Sequence, residues 1–389
     1  MAPKFIEFAT TRSTARKLNH HRDPETDHHQ SLLPGLPDDV AQLCLSLVPP
    51  SVLYSVCRSW RRLLYSRSFP PFLSLYAVVL PTGENQSHIS NFIELCSFDP
   101  ISSKWHIPPP PLSDPPTKFL FRHRSFISRD FPIQTVAVSG KLVVLAATDD
   151  HFQPALSRPL VFDPLSKEWS HGPPFSAPRR WCAVGASGGD VYVASGMGAT
   201  YHRDVAWSAE KWELGTQRSV QEHRWRCRWR KMRNLNVVRF SCYAIEAVGW
   251  RGKLCMVSMK GDSWKEGLIY DVETDRWGDM PVGMLAGWRG PAAAMAEETI
   301  YVVHESKGLL RNYDPSRDAW VDVAESAMLR GAQQVAAAGG KVCVLCADGV
   351  SIVVVDVAAP PPARLFVVHV PSGMQVVGGI HVLPRFVTY

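Results

Sequence analysis

Four arginines recur at a near-constant distance behind a tryptophan. Arg180 lies 11 residues after Trp169, Arg239 lies 10 after Trp229, Arg289 lies 12 after Trp277, and Arg330 lies 10 after Trp320. Arg129 stands in a comparable place after a longer interval. A guanidinium is a rigid fork of donors that grips carboxylates and phosphates in a bidentate way. Repeated on equivalent connections of a repeating fold, five of them would ring one mouth and attract an anionic partner. They could equally cap strand-end carbonyls of their own scaffold. Trp181 and Trp288 are adjacent to two of these arginines and have the size to stack on a partner at an interface.

Other clusters promise less. Cys343 and Cys346 have CxxC spacing, but no second Cys pair or His pair completes a zinc set, and both sit in the apolar run Lys341–Ala347. They read as buried thiols. His20, His21, His28 and His29 lie in a polar tract with Arg and Asp, which reads as a solvated, disordered tail over residues 1–31. The stretch Gln217–Asn234, QRSVQEHRWRCRWRKMRN, combines Arg and Trp in the way that suits single-stranded nucleic acid. Its register instead places Trp229 on a strand with its charged neighbours outward, so no nucleic-acid partner is expected. No nucleophile–base constellation, phosphate-binding glycine loop or metal-ligand spacing occurs, so neither catalysis nor a cofactor is expected.

The chain has 389 residues, 46% hydrophobic and 20% charged, with a net charge of +6. That is the composition of a globular protein. The opening MAPKFIEFATTR lacks a signal-peptide apolar run and resembles a transit peptide only faintly; the nine cysteines form no secretory framework. Cytosol or nucleus is the expected compartment. The longest apolar stretch, Val342–Val357, is broken by Asp348 and Asp356, so no membrane span is expected.

The elements that must position the arginines are short strands in a repeat. An aromatic residue, Asp, usually Pro, four spacers and Trp recur as FDPISSKW from Phe98, FDPLSKEW from Phe162, YDVETDRW from Tyr270 and YDPSRDAW from Tyr313. VDVAAPPPARLF, from Val355, is a degenerate copy. Asp-Pro makes a tight turn, and Trp at a fixed offset buries a broad face between neighbouring sheets. Before most copies stands an apolar hairpin with a Gly or acidic turn, as in TVAVSGKLVVLAA from Thr135 and VAAAGGKVCVLCA from Val335. The first Asp–Trp copy lacks such a hairpin, and the last hairpin half, MQVVGGIHVLP from Met374, lacks an Asp–Trp copy. Together the two orphans complete one unit.

Four-stranded units with this pattern resemble kelch repeats, which pack radially into a closed β-propeller. The 315 residues from Leu73 to Val387 give about 52 per blade for six blades, within the kelch range of about 50. Blade units are expected near 133–170, 180–235, 241–280, 290–324 and 331–370, with a closing blade from 73–105 plus 373–387. The interval of 108 residues between Trp169 and Trp277 leaves room for a seventh blade.

Ahead of the propeller, residues 32–72 carry a helical period. Val40, Leu43, Cys44 and Leu47 fall on one face, Asp38 and Asp39 place negative charge at the helix start, and Pro49 with Pro50 ends it, with Ser51 free to cap the next helix. Val52, Leu53 and Val56, then Trp60, Leu63 and Leu64, continue the pattern. About forty residues make a marginal domain that gains by docking. The run LPGLPDDVAQLCLSLVPPSVLYSVCRSWRRLL resembles the F-box, matching it at Leu36-Pro37, Cys44-Leu45, Val48-Pro49, Val56 and Trp60. Cys44 and Val48 are smaller than the family norm.

Taken together, residues 32–387 resemble plant-type F-box/kelch-repeat proteins. The resemblance implies a mainly β chain, a six-bladed kelch-type β-propeller over 73–389 preceded by a short three-helix F-box. It implies a non-catalytic substrate receptor of a cullin–RING ubiquitin ligase, with Leu36, Pro37, Cys44, Leu45, Val48, Pro49, Val56 and Trp60 docking on the Skp adaptor, and through it on cullin and RING subunits. The arginine rim (Arg129, Arg180, Arg239, Arg289 and Arg330, with Trp181 and Trp288) is then the expected seat of a protein substrate. The competing expectation is a kelch scaffold or cytoskeletal binder in which the helices only cap the propeller.

Overall fold

The computed structural model describes residues 31–66, 68–81, 94–111, 119, 133–149, 151–214, 228–235, 244–259 and 265–385. Arg129, Arg239, the N-terminal tract through residue 30 and the Gln217–Cys227 part of the basic stretch lie outside them.

Helices α1 (Asp38–Ser46), α2 (Pro50–Val56) and α3 (Arg58–Leu64) come first. Asp38 and Asp39 fill the first turn of α1, where the helix dipole favours them, and Asp38 Oδ1 accepts a hydrogen bond from the Leu32 N–H at 3.0 Å. Ser51 does not cap α2. Pro49 holds that position and Pro50 takes the first helical place, where a missing N–H costs nothing. Leu45, Leu53, Leu63, Leu64 and Phe69 close a small core, against which Ile101 of the propeller packs.

The strands form six sheets of four. Five blades run outward from innermost strands Gln134–Val138, Ala183–Ser187, Ala244–Trp250, Ala292–Met295 and Gln334–Ala338, here blades one to five. The closing blade takes its innermost strand, β24 (Met374–Pro384), from the C-terminal end of the chain. Its outer three are β1 (Leu73–Pro81), β2 (Glu94–Asp99) and β3 (Lys104–His106). Strand β24 pairs with β1 from Leu73↔Pro384 to Pro81↔Met374. The long interval between Trp169 and Trp277 holds the outer strands of blade two, Ala209–Glu213 and Arg230–Lys231, and the first strands of blade three. No seventh sheet stands among the described residues.

The repeat explains itself in hydrogen bonds. In all five Asp copies the carboxylate accepts from the N–H two residues on: Asp99 from Ile101, Asp163 from Leu165, Asp271 from Glu273, Asp314 from Ser316 and Asp356 from Ala358. This local bond turns the third strand into the fourth. The aromatic then sits opposite the Trp, as in Phe98↔Trp105 and Tyr313↔Trp320. Each indole N–H reaches back to a carbonyl of the preceding blade or its exit. Trp105 bonds His369, Trp169 bonds Pro109, Trp229 bonds Pro173, Trp277 bonds Arg233 and Trp320 bonds Met284. The degenerate fifth blade replaces the aromatic pair by Val355↔Leu365 and lacks this staple.

Strand direction alternates within each blade, so two kinds of turn lie on one face and two on the other. The hairpin turns and the Asp turns share a lower face, which also receives the F-box at the start of β1. The blade-to-blade connections, with Arg180, Arg289 and Arg330, share the upper face.

Inside the ring, small residues of the innermost strands line a cavity of about 570 Å³. Its lower end is bridged by Glu297 of blade four, whose carboxylate accepts from Ser187 Oγ at 3.0 Å and Gly188 N–H at 2.9 Å of blade two. His381, on β24, is buried in the cavity wall. Thr135 Oγ1 has one proton and gives it to the Gly378 carbonyl at 2.6 Å. It must therefore accept from His381 Nε2–H at 2.7 Å, and burial disfavours a second proton on the ring. Burial holds the imidazole at about 4, below its ordinary 6.5. As pH falls through 6.5 the unfolded chain gains a proton that the folded chain refuses until about 4, so stability is lost across that window. Between pH 7 and 5 the loss is about 2 kcal/mol. His381→Gln should flatten the denaturant-unfolding stability between those pH values by that amount. An unchanged slope would remove His381 as its cause.

Candidate functional surfaces: the helical face and the propeller mouth

Helix α1 carries two apolar stripes, not one. Ala41 and Leu45 turn inward, and half-buried Val48 follows them one turn later. Leu36, Val40, Leu43 and Leu47 turn outward, with Leu43 70% and Leu47 87% exposed. Val52 and Val56 of α2 continue that outer surface. Six exposed aliphatic side chains on so small a unit are the kind of apolar surface that marks an interaction site.

The eight positions expected from the F-box resemblance divide accordingly. Leu36, Pro37, Cys44, Pro49 and Val56 are exposed and Val48 is half-buried. Leu45, 2% exposed, belongs to the core of the helical unit. Trp60 is half-buried against that core, its Nε1–H donating to the Leu32 carbonyl at 2.9 Å. Those two residues belong to the packing beneath the exposed face. Val40, Leu43, Leu47 and Val52 were missing from the expected set. The signal that could have found them was the second stripe, Ala41-Leu45-Val48 at i, i+4 and i+7, which leaves the first stripe free.

The arginine rim is thinner than its spacing suggested. Arg180 is only 6% exposed, because its backbone bridges to Met197 in both directions and its guanidinium lies 4.2 Å over the Trp181 ring. Burial lowers its pKa from the ordinary value, and Asp149 opposes that shift. Its neighbour Arg179, which the repeat did not single out, is fully buried. Nη2 pairs with Glu210 at 3.0 Å and Nη1 donates to the Ser195 carbonyl. Trp288 is 0% exposed, its indole N–H donating to Glu246, so it offers no face for stacking on a partner. Trp181 is half-buried, with its N–H on Gln134 Oε1.

Arg289 and Arg330 remain at the surface. The backbones of 289, 305 and 331 are joined by Glu305 N–H to Arg289 O and Gly331 N–H to Glu305 O, which brings three connections of the upper face together. Burial, then Lys307, Arg311, Arg289 and Lys265, lower the pKa of His304 there. Cys343 and Cys346 are buried free thiols on the second strand of blade five and just after it, and burial pushes Cys343 up to about 12.

A three-helix F-box seated on the lower face of a closed six-bladed propeller defines the class, that of F-box proteins with a kelch-type propeller. The chain belongs to the F-box/kelch-repeat family. It is 46% identical over 384 residues to F-box/kelch-repeat protein SKIP25 of Arabidopsis thaliana, spanning 97% of this chain and 96% of that protein. It is 24% identical over 310 residues to the Arabidopsis F-box protein AFR, spanning 76% of this chain and 74% of that one. No family model matches the chain. Family and fold support an SCF-type substrate-receptor role in general terms, and proteins of this family are generally non-catalytic adaptors. No described helix is long and apolar enough to cross a membrane.

Proposed function

We propose that this chain recruits a target protein to an SCF-type ubiquitin ligase, with the outer face of α1 and α2 docking on Skp and the upper face of the propeller holding the target. The exposed aliphatic face of the F-box carries this reading. Among the described residues, Leu36, Val40, Leu43, Leu47, Val52 and Val56 have no partner that would explain six apolar side chains in water. Pro37, Cys44, Val48 and Pro49 border them, and Skp would in turn bring the cullin and RING subunits. Ubiquitin transfer falls to those subunits, while this chain sets the target's place and orientation. The free, buried cysteines support the reducing cytosol or nucleus as the place of action. Exposed Arg289 and Arg330, forked donors suited to carboxylate and phosphate, support an acidic or phosphorylated target segment at the upper face.

Affinity capture tests the reading. Leu36→Ala with Pro37→Ala should abolish recovery of Skp while the propeller stays folded. Capture in the presence of proteasome and neddylation inhibitors should enrich the target. Undiminished Skp recovery at equal expression would leave the scaffold reading, with the helices as a cap.

A further inference from the structure

The closing blade departs from blades one, three and five at one position, and the F-box sits there. In blades one, three and five the first residue of the second strand is a lysine facing the repeat Asp. Lys141 pairs with Asp163 at 2.8 Å, Lys253 with Asp271 at 3.8 Å and Lys341 with Asp356 at 2.7 Å. In the closing blade the register Leu75↔Phe98 puts Ser74 opposite Asp99. Ser74 is buried and its Oγ has no hydrogen-bond partner among the described residues. Asp99 therefore meets no lysine on β1; Lys104 stands opposite it on β3, and its carboxylate accepts from the Tyr65 hydroxyl at 2.5 Å, one residue past α3.

A cation returns from elsewhere. Arg385 follows the last residue of β24 and is 3% exposed. Its N–H donates to the Phe72 carbonyl at 2.7 Å, and its guanidinium lies 4.7 Å from the Tyr65 ring centroid and 4.8 Å from that of Phe72. Nε and Nη1 have no hydrogen-bond acceptor among the described residues. A buried guanidinium with two unused donors is a costly arrangement, which aromatic faces and a nearby carboxylate offset. Ile101, whose N–H is held by Asp99, packs on the F-box core from the same turn.

The geometry points to Arg385 as a positioning residue: with Tyr65 and Asp99 it latches the F-box to the closing blade, so that the strand that closes the ring also fixes the F-box relative to the mouth. The latch joins residues separated by more than 300 positions, from α3's end to the end of β24. Two domains joined by a short linker move relative to one another by default. Here a hydroxyl–carboxylate bond, a cation between two rings and one apolar contact remove that freedom. What the latch does for ubiquitin transfer, holding the target at one distance from the ligase, rests on the substrate-receptor reading. The latch itself does not.

Spin labels carried by non-natural amino acids at exposed Arg62 and Arg317 of the full chain report the distance from F-box to propeller. The unaltered chain should give one narrow distribution. Tyr65→Ala and Arg385→Ala should each broaden it about twofold or more, whereas Arg385→Lys, which keeps a cation on the rings, should stay narrow. Propeller melting should be unchanged in Tyr65→Ala, whose propeller sequence is intact, and Skp recovery should match the unaltered chain. If Arg385→Ala fails to fold, the Tyr65→Ala distribution decides. A Tyr65→Ala distribution as narrow as that of the unaltered chain overturns the latch. Absence of Skp binding by the unaltered chain overturns the receptor reading alone, and the distance measurement still stands.

Discussion

A chain ending at Ser372 should fail to form the propeller and should aggregate. Removing Gly373–Tyr389 takes away β24, the innermost strand of the closing blade, and with it the whole of its pairing to β1. Val376, Val377, Ile380 and Leu383 are each 6% exposed or less. Burial of one such side chain is worth about 1.5–3 kcal/mol, so the four account for about 6–12 kcal/mol. That is comparable to the whole stability of an ordinary domain, about 5–15 kcal/mol. The losses extend beyond one sheet. Gln334 Oε1 would lose the Ile380 N–H, and Thr135 would lose both Gly378 and His381, so blades five and one come away from the gap. The bared edge of β1 is a row of unpaired backbone groups, a template for intermolecular pairing. Size-exclusion chromatography and circular dichroism at equal concentration measure the outcome. A monomeric truncated chain with the melting profile of the full one would show that β24 does not hold the ring shut.

The parts of this fold that were legible in the sequence are those whose chemistry is local. Asp bonds the backbone two residues ahead and pairs its neighbour with a Trp seven positions along, so FDPISSKW or YDPSRDAW announces a turn between two strands. Blade two escaped that reading because Glu213 replaces the repeat Asp and faces Asp190, with Lys211 placed near both acids, while Trp212 stands where a Phe or Tyr was sought. Its buried Trp229 stacks against Phe175 with a ring separation of 5.1 Å. The candidate surfaces were less legible, because exposure is decided at long range. Arg180 and Arg330 occupy equivalent connections and have the same side chain. One is buried beneath Trp181 and the other is open to water. Arg179 draws its meaning from Glu210, 31 positions away, and Arg385 from Tyr65 on the far side of the whole propeller. No spacing rule reaches that far.

On the F-box, exposed and buried leucines give opposite results, and that contrast tests the docking face most directly. Leu43→Gln with Leu47→Gln should reduce Skp affinity by more than about a hundredfold and leave the melting temperature unchanged. Each leucine is worth about 1.5–3 kcal/mol when a partner covers it, so losing both removes about 3–6 kcal/mol of binding, and every 1.4 kcal/mol is tenfold. In the free protein they are 70% and 87% exposed, so replacing them should alter stability by no more than about 0.5 kcal/mol. Gln suits the test because it forms helix well, whereas Asp at the C-terminal end of α1 would oppose the dipole and confound the result. Leu53→Ala should behave differently. Leu53 is 0% exposed, and truncating it leaves a cavity costing about 2–5 kcal/mol, enough to unfold so small a helical unit. Its loss of Skp binding should therefore come with a loss of helical circular dichroism, and the Gln pair should show none. Isothermal titration of purified Skp against all three proteins measures the affinities. Undiminished binding by the Gln pair would place the adaptor on another surface, and the open stripe of α1 would need a different partner.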